Sequence, residues 1–291
     1  MPYIAWRNEM EIGVPMIDAD HKVLIALLNQ IHSCLGHPEE RTNMDSVLSS
    51  LLDYTAYHFR REEIFQEAVG YPGLAKHRAE HESLTIQVEE LNHRYRLQPD
   101  SVRARDLLTF LKRWLIDHIL IADMAFKPYA QGRRDAEQAA QAAIDIRHLC
   151  GDIPPEVLDL CDLSVLIVDD SDNFRTLMST ILGAIGIGTV ITARYATEGL
   201  GILSRQAVDA VITDAAMTEM SGVDFISLIR SSPDPLMAQA AILMISGLSG
   251  DVIRRLALDA GADHFMEKPI SASVLIAAIG ATVTRRRRLV P

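Results

Sequence analysis

The chain has 291 residues, 48% hydrophobic and 23% charged, which is long enough for two cores and too apolar for disorder. The formal net charge of −11 is uneven: residues 163–291 hold 11 Lys and Arg against 13 Asp and Glu, so residues 1–162 hold the remaining −9, a balance that argues against nucleic acid as the main partner. Cys34, Cys150 and Cys161 cannot build a disulfide framework in so long a chain, no stretch nears the ~18 uninterrupted apolar residues of a spanning helix, and Met1-Pro2-Tyr3-Ile4 lacks a basic-then-apolar export pattern, so a cytoplasmic protein is expected.

Four segments show helical periodicity. The first, about 19–36, puts His21, Leu24, Leu28, Ile31 and Leu35 on one stripe, with Cys34 as a small core residue. The second, about 43–69, lines up Leu51, Thr55, His58, Glu62, Phe65 and Val69. The breaker Tyr71-Pro72-Gly73 ends it, and a third stripe follows through Leu74, His77, His81, Leu84, Val88 and Leu91. After Pro99-Asp100 the fourth reads Leu107, Leu111, Trp114, His118, Ile121 and Ala125, limited by Pro128. One apolar stripe per helix and short connections predict an antiparallel four-helix bundle.

Five histidines and a glutamate occupy positions where these helices should bury leucine. Left unpaired, each would cost roughly 2–7 kcal/mol in desolvation, a cost that a shared metal removes. His58 and Glu62, like His77 and His81, are i,i+4 pairs on one helix face and can reach a single centre. Asp123 fits less well: five residues past His118 is about 140° around an ideal helix, so either a π-type widening returns it to the site or it reaches in from the flank.

Residues 1–130 resemble a hemerythrin domain of the bacterial type. The matching residues are Trp6, Ile17-Asp18-Ala19-Asp20-His21, His58-Phe59-Arg60-Arg61-Glu62, Tyr71-Pro72 with His77-Arg78-Ala79-Glu80-His81, and His118 through Asp123. The resemblance implies two iron ions: His77, His81 and His118 hold one, His21 and His58 the other, and Glu62 and Asp123 bridge them. The second iron then keeps an open position for dioxygen. Trp6 reads as a lid or packing residue. A histidine-rich set with two carboxylates suits reversible oxygen binding or redox sensing better than the carboxylate-rich sets of di-iron oxidases.

Residues 131–162 read as a connector: an exposed helical spacer over 131–149, rich in Ala, Gln and charge, then a break from Gly151 to Pro154-Pro155. From Leu163 onward, short apolar strands alternate with amphipathic helices. The strands are Val165–Val168, Thr189–Thr192, Ala210–Thr213, Ile242–Ile245 and His264–Met266, which predicts a doubly wound five-stranded parallel sheet with its ligands at the strands' carboxyl ends. Asp169, Asp170, Asp214, Ser246 and Lys268 stand at those ends. Three carboxylates at one edge repel one another unless a cation lies between them, and hard oxygen ligands suit Mg²⁺. No phosphate-binding glycine loop follows the first strand, which disfavours a nucleotide site.

Residues 163–291 resemble a response-regulator receiver domain. The motifs are Leu166-Ile167-Val168-Asp169-Asp170-Ser171, Asp214 with Met217 and Met220-Ser221-Gly222, Ser246-Gly247, and Lys268-Pro269 after Ala260-Gly261-Ala262-Asp263. The resemblance implies that Asp214 is the phosphoacceptor, Asp169 and Asp170 help it bind Mg²⁺, Ser246 and Lys268 engage the phosphoryl group, and the Phe265 rotamer reports the switch. Such a domain catalyses its own phosphorylation from a phosphohistidine donor. Thr218 replaces the usual proline, an exchange expected to alter the loop and leave the chemistry alone. Ala216 and Leu248 lack the polar groups that orient hydrolytic water in some relatives. Arg285 to Arg288 read as a solvated tail that complements the helix dipole.

The expected function is a cytoplasmic two-component response regulator that binds dioxygen or senses redox state. It takes its phosphoryl group from a histidine kinase or phosphotransfer protein and acts through an unidentified downstream protein. This reading leaves room for a homodimer and involves neither nucleic acid nor a membrane span. The alternatives are an oxygen carrier or iron store with a vestigial receiver, and a di-iron oxidase or peroxidase regulated by phosphorylation.

Overall fold

A computed structural model describes residues 2–36, 40–97, 103–143, 160–184, 186–247 and 250–289, which form two compact units. The boundary between the units, Cys150 and the expected break at 151–155 lie outside the described residues.

The first unit is all helical: α1 (Pro15–Cys34), α2 (Glu40–Ala68), α3 (Leu74–Leu97), α4 (Ala104–Asp117), a π-helical segment His118–Asp123, α5 (Met124–Ala130) and α6 (Arg134–Ala143). Helix α1 opens with Pro15 in its first turn, where a missing N–H costs nothing, and Asp18 accepts bonds from the backbone N–H groups of Ile12 (2.8 Å) and Gly13 (3.0 Å). Helices α1 to α4 pack as a ring of neighbours, α1 on α2, α2 on α3, α3 on α4 and α4 back on α1. The predicted stripes face inward: His21, Leu24, Leu28 and Ile31 of α1 are fully buried, as are Leu51, His58, Glu62 and Phe65 of α2.

Three features of this unit differ from the sequence reading. The fourth stripe fails after His118, because Ile121 is 69% exposed and Ala125 also faces solvent, while Asp123 and Phe126 are completely buried. The π segment widens one turn by a residue and resets which side chains point inward. Pro128 does not end the helix, which runs on to Ala130 before Gly132 turns the chain at φ 74°. Finally, α6 is not an exposed spacer. It packs on α2 with Ala136 and Ala140 buried among Ile12, Phe65 and Phe126, and Glu137 accepts a bond from the N–H of Met16. Alanine at i and i+4 gives a flat face that lets two helices approach closely, a pattern that composition alone reads as a linker.

The second unit alternates β1 (Ser164–Val168), α7 (Asp172–Ala184), β2 (Thr189–Ala193), α8 (Ala196–Leu203), β3 (Ala210–Asp214), α9 (Gly222–Arg230), α10 (Pro235–Gln239), β4 (Ala241–Ser246), α11 (Asp251–Asp259), β5 (His264–Glu267) and α12 (Ala272–Leu289). The sheet is parallel throughout, in the order β2-β1-β3-β4-β5. Its central strands are apolar on both faces because helices cover both: Leu166, Val211, Ile242 and Met244 meet α8, α9 and α11, whereas α7 packs on β1 and α12 on β4. The order reverses at β1, so β1 and β3 together deliver Asp169, Asp170 and Asp214 to one edge.

Gly222, at the start of α9, sits against that edge, and a Cβ there would lie 2.2 Å from the carbonyl oxygen of Asp214. Gly222→Ala should therefore displace the β3–α9 loop and cost on the order of 1–3 kcal/mol, readable as a lower unfolding temperature of the second unit.

Arg285, Arg286 and Arg287 are paired and not merely solvated. Arg285 donates to the carbonyl of Asp263 (2.9 Å), Arg286 to its carboxylate (2.7 Å) and Arg287 to Asp209 (2.8 Å). Asp209 and Asp263 immediately precede β3 and β5, so these pairs fasten the last helix to the amino ends of the strands. Among the described residues, no helix is long and apolar enough to cross a membrane.

Candidate metal centre and phosphoacceptor site

All seven ligand candidates of the first unit are more than nine-tenths buried and converge in its core. They form two overlapping groups: Glu62, His77, His81, His118 and Asp123 in one, His21, His58 and Glu62 in the other, with the ligand atoms of each group within 4.8 Å of one another. Asp123 reaches both sides. Its Oδ1 lies 3.1 Å from His118 Nε2 and 3.5 Å from His77 Nε2, and its Oδ2 lies 3.2 Å from His21 Nε2. Of the two placements open to Asp123, the π widening is the one adopted. Glu62 Oε2 stands 3.3 Å from both His77 and His81 and 3.9 Å from His58.

This donor set fits a pair of metal ions. Both ring nitrogens of His21, Oε1 of Glu62 and both oxygens of Asp123 are buried without a hydrogen bond of good geometry. Nε2 of His81 and of His118 approach to 3.0 Å, so the two nitrogens face a common point. Burial pushes the two carboxylates toward neutrality, but His77 and His81 outweigh it and hold Glu62 well below the usual range, and His118 and His21 hold Asp123 at about 2. Both therefore stay anionic, the form that binds metal.

Apolar rings close the site. Phe59 stacks on His81 with centroids 3.6 Å apart, and Trp114 lies parallel to His118. A groove of about 670 Å³ between α3 and α4, lined by Leu84, Phe110, Trp114 and Ile121, reaches His118. It opens on the three-histidine side, while His21 and His58 are enclosed. Trp6 is half-buried under Lys22, whose ammonium is 5.0 Å from the ring centroid, and so acts as a packing residue.

In the second unit Lys268 joins the acidic residues. Its Nζ lies 2.9 Å from Asp214 Oδ1 and 3.4 Å from Asp169 Oδ2, above the ring of Phe174 at 3.8 Å. The backbone N–H of Ala216 donates to Asp214 Oδ2 (2.7 Å), so both oxygens of that carboxylate are oriented. Ser246 is buried at the end of β4, and Phe265 is buried in β5 beneath the guanidinium of Arg254. Thr218 does touch the acidic cluster, contrary to expectation: its N–H donates to Asp170 Oδ2 (3.0 Å), a bond that proline cannot make. Ala216 is exposed, and Leu248 lies outside the described residues.

Residues 12–130 match the hemerythrin HHE cation-binding domain family, and residues 165–280 match the response regulator receiver domain family. The bacteriohemerythrin of Stenotrophomonas maltophilia is 34% identical over 126 residues, 43% of this chain and 80% of that protein. The chain belongs to the bacteriohemerythrin family and carries a response-regulator receiver. The bacteriohemerythrin of Clostridium acetobutylicum is 27% identical over 42% of this chain and 96% of its own length. Among solved structures, a receiver domain protein from Clostridium thermocellum is 30% identical, covering 44% of this chain and 98% of that one at a TM-score of 0.39. The chemotaxis response regulator CheY4 of Vibrio cholerae is 26% identical, covering 41% and 98%, also at 0.39.

The hemerythrin domain holds chemistry that the sequence reading left unassigned. Asp20 and Glu63 accept from the outer nitrogens of two ligand histidines, and Arg61 is buried beside Asp20. Asp20 and Arg61 stand in the sequence motifs beside His21 and Glu62, which give them no role of their own. The available signal was positional: each neighbours a core-facing ligand in the same helical turn.

In the receiver, burial and the nearby charge of Asp214 raise Asp169 to about 6 against the pull of Lys268. A raised carboxyl binds its proton more tightly folded than unfolded, so metal-free stability should fall as pH rises from about 4 through 6, by on the order of 3 kcal/mol. A divalent cation such as Mg²⁺ held by these carboxylates would compete with that proton, so its affinity should rise over the same window. Unfolding curves between pH 4 and 7, with and without Mg²⁺, check both signs.

Proposed function

We propose that this chain is a two-component response regulator whose receiver is phosphorylated on Asp214 and whose hemerythrin domain binds dioxygen at a di-iron centre. In this reading His77, His81 and His118 would hold one iron and His21 and His58 the other, with Glu62 and Asp123 shared between them. Two ferrous ions there would supply the electrons that let dioxygen bind reversibly. The protein's part is to keep the carboxylates of Glu62 and Asp123 anionic, to orient all seven ligands, and to pack Phe59, Trp114 and Phe126 around them.

At the receiver, a carboxylate oxygen of Asp214 forms a bond to phosphorus as the donor's phosphorus–nitrogen bond breaks, leaving the imidazole with the electron pair. Lys268 is positioned to pair with the transferred group, and Ser246 stands at the adjoining strand end. Asp169 and Asp170, with Asp214, would hold Mg²⁺. The phosphohistidine donor is a histidine kinase or phosphotransfer protein.

The observation that carries the reading is completeness: the two ligand groups share Glu62 in one core, and Lys268 bridges Asp214 and Asp169 in the other. That intact cluster weighs against a vestigial receiver. If one protein uses both sites as a regulator, linkage makes them reciprocal, with a coupling on the order of 1–3 kcal/mol. Oxygen-binding curves of the iron-loaded chain, with and without beryllofluoride on Asp214, should then differ about 5–150-fold in affinity. Identical curves would contradict a single coupled regulator.

A further inference from the structure

Two carboxylates meet the histidine set from outside, one on each side of the centre. On the three-histidine side, His81 Nδ1 lies 2.9 Å from Glu63, which pairs at 3.3 Å with the partly exposed Arg78. On the two-histidine side, His58 Nδ1 lies 3.4 Å from Asp20 Oδ2, and everything around that contact is buried. Arg61 grips Asp20 through two nitrogens, at 3.0 Å to Oδ2 and 2.5 Å to Oδ1, and the Tyr54 hydroxyl donates to Oδ1 at 2.8 Å. The same guanidinium also donates to the carbonyl of Met16 (3.2 Å) and stacks on Tyr57.

A buried ion pair is a poor source of stability, because well-packed apolar residues of similar volume serve as well or better. Its position against a ligand histidine suggests a different use. A carboxylate that accepts from Nδ1 fixes the imidazole tautomer, leaves the Nε2 lone pair for metal and makes the ring a stronger donor. A stronger donor favours the higher charge on the metal it holds. A cation on the same carboxylate weakens that effect.

Building on the di-iron reading, we infer that Asp20 is a positioning residue that sets the orientation and donor strength of His58, and that Arg61 tempers it. The pair thereby sets the ease of oxidation at the two-histidine side. Removing either charge should move the centre in opposite directions, which a purely structural brace would not do.

The test is the reduction potential of the full iron-loaded chain in Asp20→Asn, Arg61→Gln and the double variant, with melting curves of each. Asp20→Asn should lower the ratio of ferric to ferrous affinity about tenfold, raising the potential by about 59 mV for a one-electron step. Arg61→Gln should lower the potential, the double variant should return toward the parent, and Arg61→Lys, which keeps the charge, should stay near it. Shifts in the same direction, or lower melting temperatures with unmoved potentials, would overturn the inference. Chelator competition with Co²⁺ reads the same histidines independently of iron: Asp20→Asn should bind it about 10–100-fold more weakly, and an unchanged affinity would count against the inference. A parent chain that binds Co²⁺ but never takes up iron would contradict the di-iron reading instead.

Discussion

Asp214→Asn should remove all Mg²⁺-dependent phosphoryl uptake, observed by intact-mass spectrometry after incubation with a small phosphodonor. The carboxylate has one oxygen on Lys268 and the other on the Ala216 N–H, so its orientation is fixed before any donor arrives. An amide keeps the shape but loses the nucleophilic oxygen pair, and Asp169 is already engaged by Lys268 and the Ser171 N–H. No neighbouring acid should take over. Lys268→Ala should keep some labelling and lose the conformational response, because it leaves two buried carboxylates without their cation. Phosphoryl found on another residue, or no phosphoryl uptake by the parent chain, would refute the assignment.

His77→Ala should empty the metal centre and weaken the bundle together. His77 lies within 3.5 Å of both Glu62 and Asp123, the two residues that belong to both sides. Its loss leaves two buried anions with fewer partners and a polar cavity where the imidazole stood. Iron affinity should fall by more than about 100-fold, beyond the 10–100-fold cost of losing an outer partner. Stability of the loaded protein should fall by several kcal/mol, since metal binding energy is folding energy here. Metal analysis and thermal unfolding of parent and variant check both effects, and a variant that keeps two irons per chain would contradict them.

Much of this was legible because it depends on periodicity. The stripes through His21, His58 and His77 follow the 3.6-residue repeat, and the strand ends at Asp169, Asp214, Ser246 and Lys268 follow the alternation of strand and helix. Where the repeat itself changes, periodicity misleads. Ile121 belongs to the apolar stripe on an ideal helix, and only the π turn turns it outward and brings Asp123 in. Helix α6 was obscured by composition, since Ala136 and Ala140 look the same in a spacer as in a close helix contact.

The pairings were harder to see, because a sequence shows charges but not their partners. Arg61 stands in the motif that ends at Glu62, but its partner Asp20 lies across from it on α1, 41 residues away in sequence. The arginines at 285–287 read as solvated until Asp209 and Asp263 appear at the starts of β3 and β5. The bond from Thr218 to Asp170 could be anticipated only as the N–H that a proline lacks, since its acceptor lies 48 residues away in sequence.

The buried histidines and carboxylates are proposed to hold a di-iron centre that binds dioxygen. The visible spectrum of the reduced, iron-loaded chain through repeated cycles of air and argon tests it most directly. A di-iron centre of this kind should give a colour that develops in air, disappears under argon and returns over several cycles, with two irons per chain throughout. A spectrum that does not change, or a change that argon never reverses, would contradict it.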